Sequence, residues 1–158
     1  MTTIRPAHID DVPLIFQLIR DLAEFEKLSH EVVATEEDLR RTLFGTKPSA
    51  EILICEANGK PAGFALYFTS YSTFLGKPGI YLEDLFIKPD MRSQGLGRKV
   101  LSELARIAVS RGCGRLEWSV LDWNKRARKF YEELGAVPME EWTVHRLTGS
   151  ALTTLANS

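Results

Sequence analysis

The pattern of apolar runs, turn residues and helical periods in this sequence points to a mixed β-sheet flanked by helices. Two apolar runs, 51–57 and 62–71, are joined by Asn58-Gly59-Lys60-Pro61, and Asn-Gly between such runs is a hairpin signal. A strand-like stretch, 80–87, is followed by a segment of helical period, 95–111, and then by a second strand, 115–121. Another helix and more strand-like sequence follow, so strands and helices alternate after the hairpin, as in a sheet with helices on its faces. The 158 residues suit one domain, expected over 1–150, with 151–158 as a short polar tail.

Residues 3–7 read as a first strand. Asp10 reads as an N-cap, with Pro13 tolerated in the first turn. Ile15, Leu18, Ile19, Leu22 and Phe25 share one face, which carries that helix to about Lys27. Thr35 and Asp38 have capping-box spacing and open a second helix through Leu43 and Phe44. After the hairpin, a loop through Gly76-Lys77-Pro78-Gly79 leads into 80–87, which Lys88-Pro89-Asp90 ends. The helix 95–111 turns Val100, Leu101, Leu104, Ala105 and Ala108 inward, with Gly112 as its stop. Asn124 caps a further helix carrying Ala127, Phe130, Tyr131 and Leu134, stopped by Gly135. A final strand pair is expected at 136–139 and 142–147.

Composition removes several function classes. A net charge of -1 gives no basic field to draw nucleic acid or a membrane surface. The opening MTTIRPAHIDD lacks a signal-type apolar stretch, and no apolar run approaches spanning length. Cys55 and Cys113 are too few for a disulfide framework, which suggests a reducing, cytoplasmic setting. His8, His30 and His145 stand apart without ligand spacing, so no metal is expected. No G-x-S-x-G elbow supplies a serine nucleophile.

The informative stretch is Tyr81-Leu82-Glu83-Asp84-Leu85-Phe86-Ile87-Lys88-Pro89, then Arg92-Ser93-Gln94-Gly95-Leu96-Gly97. It is strand, turn, Gly-rich loop and helix. Helix N-terminal amides, with glycines allowing close approach, make a site for phosphate or pyrophosphate, and Arg92 adds a charge at its mouth. A dinucleotide fingerprint is disfavoured because Val100 stands where the third glycine belongs, and Glu117, at the right distance, lies mid-strand. A nucleoside triphosphate loop is absent, since Gly59-Lys60 and Gly76-Lys77 both run into proline.

Arg92, Gly95 and Gly97 match the R/Q-x-x-G-x-G/A motif of the GNAT superfamily of N-acetyltransferases. Val120-Leu121-Asp122-Trp123-Asn124 with Phe130-Tyr131 and Leu134-Gly135-Ala136 is similar to a later GNAT segment. Together with Ala23-Glu24-Phe25-Glu26-Lys27-Leu28-Ser29 and Tyr81-Leu82-Glu83-Asp84, it resembles the branch of spermidine/spermine and thialysine (diamine) acetyltransferases. The resemblance runs from the first helix to Trp142. It implies a central, mixed, mostly antiparallel twisted sheet of about six or seven strands flanked by about four helices. It also implies acetyl-CoA as co-substrate, a small primary amine as acceptor and a homodimer.

Residue roles follow from the same resemblance. Leu85 and Ile87 would offer main-chain contacts to the pantetheine arm. Arg92, Ser93, Gln94, Gly95, Leu96, Gly97 and Arg98 would hold the pyrophosphate, with Asn124, Arg126 and Tyr131 also on the coenzyme. Glu83 matches the general base, acting through water, and Tyr131 the general acid to the sulfur. Read without the family, Tyr131 is also a half-buried aromatic and Asn124 a sufficient helix cap. Glu83 and Asp84 point to opposite faces of a regular strand, so both line one cleft only if a bulge intervenes. Asp84 is then a charge for the substrate cation.

The loop 71–79 reads as the substrate wall, with Tyr71 and Phe74 as its bulky residues. Where polyamine acetyltransferases carry an acidic residue and a tryptophan, it has Ser-Thr-Phe, closer to the thialysine type. Glu24, Glu26 and Glu140-Glu141-Trp142 are further candidates for a cationic acceptor, Glu26 foremost, and read equally as solvent-facing charges. Two other readings stay open: an acetyltransferase of protein amino termini or lysines, and a non-catalytic acetyl-CoA-binding module. The second would need neither Glu83 nor Tyr131.

Overall fold

The computed structural model describes residues 1–158 and divides into two compact units, Met1–Ser119 and Val120–Ser158. The first holds a five-stranded sheet in the order β1-β2-β3-β4-β5, from Thr2–Pro6, Glu51–Ala57, Lys60–Ser72, Lys77–Ile87 and Leu116–Trp118. The first three pairings are antiparallel and β4–β5 is parallel. Its helices are α1, Val12–Phe25, α2, Glu36–Leu43, and α3, Leu96–Ser110. The second unit carries α4, Lys125–Glu133, and α5, Gly149–Ala156.

Sheet alternation sorts the core into two faces. Ile52, Ile54, Phe64 and Phe86 meet Val12, Ile15 and Leu18 of α1 and Leu39 of α2. Phe64 is fully buried there, and a side chain of that size stabilises the fold by about 2–3 kcal/mol through burial. On the other face α3 supplies Val100, Leu101, Leu104 and Ala108, and it forms the crossover that parallel β4 and β5 require. The β2–β3 turn has Asn58 at φ 53° and Gly59 at φ 77°, the paired left-handed geometry that suits a two-residue hairpin. Thr35 Oγ1 accepts from the Asp38 amide and Asp38 accepts from the Thr35 amide, so the expected capping box forms.

Five expectations are corrected. The helix start does not use Asp10: the Asp11 carboxylate accepts the His8 amide at 2.7 Å, and α1 begins at Val12. Arg5 decides this by gripping both oxygens of Asp11 at 2.9 Å. The strand pair at 136–139 and 142–147 is not formed, and the sheet has five strands rather than six or seven. A strand needs cross-strand partners, and Pro138 removes one donor from an already short segment. Residues 149–156, expected within or beside a polar tail, are helical, because a helix satisfies its backbone bonds locally where a strand cannot. Five α-helices replace the expected four.

Candidate active site

The site is built where β4 outruns β5. Their ladder comprises Ile80↔Leu116, Tyr81↔Glu117 and Leu82↔Trp118, while β4 continues to Ile87. No strand pairs with Glu83–Ile87 on that side, so this stretch presents main-chain groups along a strand edge. Leu85 and Ile87 lie on it.

The opposite edge of β4 is irregular at the same place. Leu66 pairs with Asp84, but the next residue, Tyr67, pairs with Leu82, which leaves Glu83 as an extra residue. This is a bulge of the kind on which a shared cleft for Glu83 and Asp84 depended. It shifts the alternation, so Asp84 shares the α1/α2 face with Leu66, which packs on that core, and Leu82 points to the other face.

Asp84 is consequently half-buried, next to the end of α1. Its pKa is pushed from 3.8 to about 6, first by burial and then by the charges of Glu83 and Glu26. Burial also pushes Glu26 upward. Three predicted residues, Glu26, Glu83 and Asp84, are thus gathered into one acidic cluster. Tyr71 and Phe74 are not brought to it. Tyr71 lies five residues along β3 from Leu66, roughly 16 Å at strand rise. Phe74 is fully exposed at the hairpin tip beyond.

The loop after β4 leads into α3 through Gly95, whose φ of 72° lies in the left-handed region that favours glycine. No side chain caps α3, so the amides of Leu96, Gly97 and Arg98 at its first turn are disposed towards an anion. A Cβ built on Gly97 would meet no protein atom within 4 Å. The chain's own packing therefore does not demand glycine there, whereas a phosphate group lying against the helix end would. These features fit a pyrophosphate. Ser93, at φ 68°, and Gln94 are exposed before the turn.

Arg92 has a structural duty beside its predicted one. Its Nε donates to the Ile87 carbonyl at 2.9 Å, and its guanidinium lies 4.4 Å from the Phe25 ring centroid. Phe86 lies on the same guanidinium at 5.7 Å. Arg92 thereby ties the end of β4 to the end of α1, next to Glu26. The Phe25 contact could not be read from local sequence, because the two residues are 67 positions apart (92 − 25).

In the second unit, Asn124 Oδ1 accepts from the Ala127 amide at 3.2 Å and caps α4 as expected. Arg126 is exposed, and Tyr131 is half-buried with its ring 5.5 Å from Phe130. The positive start of α4 is eased only partly: Arg128 donates to the Asp122 carbonyl, and Lys129 meets Glu133 at 4.0 Å.

Residues 15–136 match the model of the acetyltransferase (GNAT) family. The chain belongs to that family. This acetyltransferase is 44% identical to a thialysine N-ε-acetyltransferase of Bos taurus, over 97% of its own length and 96% of the relative's. It is 36% identical to an L-ornithine N5-acetyltransferase of Arabidopsis thaliana, covering 94% and 85% of the two chains. Among solved structures it resembles an integron cassette protein from the mobile metagenome of V. cholerae, with a TM-score of 0.81 and 27% identity over 99% and 98% of the chains. The mixed α/β fold and the enzyme class agree with the reading from sequence. No helix is long and apolar enough to cross a membrane.

Proposed function

We propose that this acetyltransferase transfers the acetyl group of acetyl-CoA to the primary amine of a small molecule, by direct attack in a ternary complex. A lysine- or ornithine-like amino acid is the favoured acceptor, with a diamine or polyamine next. The bulge at Glu83 carries the reading: three carboxylates stand beside the open edge of β4, where a cationic amine would meet an extended thioester arm. Similarity to the thialysine and ornithine acetyltransferases supports the same acceptor class.

The coenzyme supplies the activated acetyl group. The first-turn amides of α3, with Arg92, Ser93 and Gln94, hold its pyrophosphate, and Leu85 and Ile87 pair with its arm as a neighbouring strand would. Asn124 and Arg126 add contacts. Asp84 and Glu26 attract the ammonium, and Glu83 takes its proton through water so that the neutral amine can attack. The carbon–nitrogen bond forms, the carbon–sulfur bond breaks, Tyr131 gives its proton to the departing sulfur, and the second proton shed by the acylated nitrogen returns through water to Tyr131. A second reading makes Asp84 the proton acceptor, favoured by its pKa near 6, closer to working pH than an ordinary carboxylate. The acetyltransferase domain is assigned to 1–150, in a cytoplasmic homodimer.

Thiol release from acetyl-CoA, measured with thialysine, lysine, ornithine, putrescine and spermidine, tests the reading. The wild type should turn over one amine class, and Tyr131→Phe should lower kcat by roughly 10²-fold or more. Loss of kcat in Glu83→Gln with Asp84→Asn affecting mainly the amine KM supports Glu83 as base; the reverse pattern supports Asp84. Wild-type protein that binds acetyl-CoA yet releases no thiol with any amine would overturn the proposal.

A further inference from the structure

We infer that Tyr81 and Ser119 form a hydroxyl clasp across the β4–β5 fork, and that Tyr81 is a positioning residue for acetyl transfer. The inference rests on the proposal that the coenzyme arm lies along β4 beyond that fork.

The ladder joining β4 to β5 has three rungs, and its last is Leu82↔Trp118. So short a parallel pairing holds the departure angle of β5 only weakly. Tyr81 sits on the middle rung opposite Glu117. Ser119, one residue past the end of β5 and two beyond Glu117, returns to the same side. The Tyr81 hydroxyl and Ser119 Oγ are 2.6 Å apart, a short hydroxyl–hydroxyl hydrogen bond. It ties the chain just past the end of β5 back to β4, at the point where backbone pairing stops.

Both ends of Tyr81 are held. Its ring lies 5.3 Å from that of Phe68, its cross-strand neighbour on β3. Its hydroxyl reaches over β4 to the β5 side, so one side chain links three adjacent strands. The bulge decides which face it occupies. Phe68 is two residues from Leu66, so Tyr81 and Asp84 share the α1/α2 face although they are three positions apart. The clasp therefore lies on the acidic side of the fork, two residues before Glu83.

Its position argues for setting geometry rather than for stabilising the fold. The hydroxyl pair faces solvent, where a hydrogen bond exchanges with water at little net gain. What it restrains is the angle at which β5 leaves β4, and hence the width of the slot beside Glu83–Ile87. A wider slot would hold the coenzyme arm less firmly and set the thioester at a varying distance from the acceptor amine.

Tyr81→Phe, Ser119→Ala, the double variant and Ser119→Thr test the clasp. Coenzyme A dissociation constants are measured by calorimetry, kcat and KM by thiol release, and melting temperature by scanning calorimetry. Each single removal should weaken coenzyme A binding and lower kcat/KM for acetyl-CoA by about 3- to 10-fold, the range one hydrogen bond spans. The double variant should be no worse than the worse single, because both remove one bond. Ser119→Thr should restore wild-type behaviour, and melting temperatures should stay within about 2 °C. Singles indistinguishable from wild type, losses that multiply in the double, or losses that follow a lowered melting temperature would overturn the clasp. If the wild type binds coenzyme A but acetylates no amine, the functional proposal fails while the binding series still decides the clasp.

Discussion

Asp84 stands opposite Leu66 in the β3–β4 ladder, one step from the place where Glu83 has no cross-strand partner. That step puts a carboxylate on an apolar face, close enough to Glu26 and Glu83 to feel both charges. The folded state therefore holds the Asp84 proton more tightly than the unfolded chain does. Its contribution to stability is fully present below about pH 4 and is lost as pH rises through about 6. Asp84→Asn, which keeps the neutral shape, should raise stability at pH 8 by roughly 1–3 kcal/mol and change it little at pH 4. Denaturant melts at the two pH values check this; equal effects at both would contradict it.

In the proposed site the same carboxylate would link acceptor binding to protons. A cationic amine favours ionised Asp84, so binding at pH 6 should release protons, and the amine KM should rise as pH falls below about 6. Calorimetry in two buffers of different ionisation enthalpy reads the release directly. Asp84→Asn should abolish it.

Gly97 separates binding from folding. A methyl group there meets no protein atom within 4 Å, and alanine suits a helical turn better than glycine. Gly97→Ala should leave the melting temperature unchanged or raise it by about 1–3 °C. Its coenzyme A dissociation constant should nonetheless rise about tenfold or more, by crowding the pyrophosphate. Unaltered affinity would place the phosphate elsewhere.

Arg92→Lys tests whether this residue is a point charge or a tie. Lysine keeps the charge but loses the Nε bond to the Ile87 carbonyl and the planar stack on Phe25. A loss of about 1–2 kcal/mol in stability is expected even without coenzyme. Full stability in the ligand-free variant would count against the tie.

How far each feature was legible depended on how local its cause was. Asn58-Gly59 makes its turn from the conformational preferences of two adjacent residues. Thr35 with Asp38, and Asn124 with Ala127, close their caps within three residues. The run from Arg92 to Gly97 lies on one continuous strand–loop–helix, so its residue types and spacing sufficed to mark the family motif. Amphipathic period placed α1 and α3 for the same reason.

Other features have causes far along the chain. Arg5 selects Asp11 over Asp10 as the carboxylate at the first helix, and Phe25 receives Arg92 from the end of β4. The segment 136–147 has strand-like composition, but strand formation depends on hydrogen bonds from another segment, and none pairs with it. Local sequence therefore carries the family motif, the hairpin, the caps and the residue types available for chemistry. Tertiary structure alone decided that Glu83 is the bulged residue, that Asp84 turns towards Glu26, and that Tyr81 reaches Ser119. The register between β3 and β4 sets all three, and register arises from the joint packing of two strands against a shared core, which neither strand's residues specify alone.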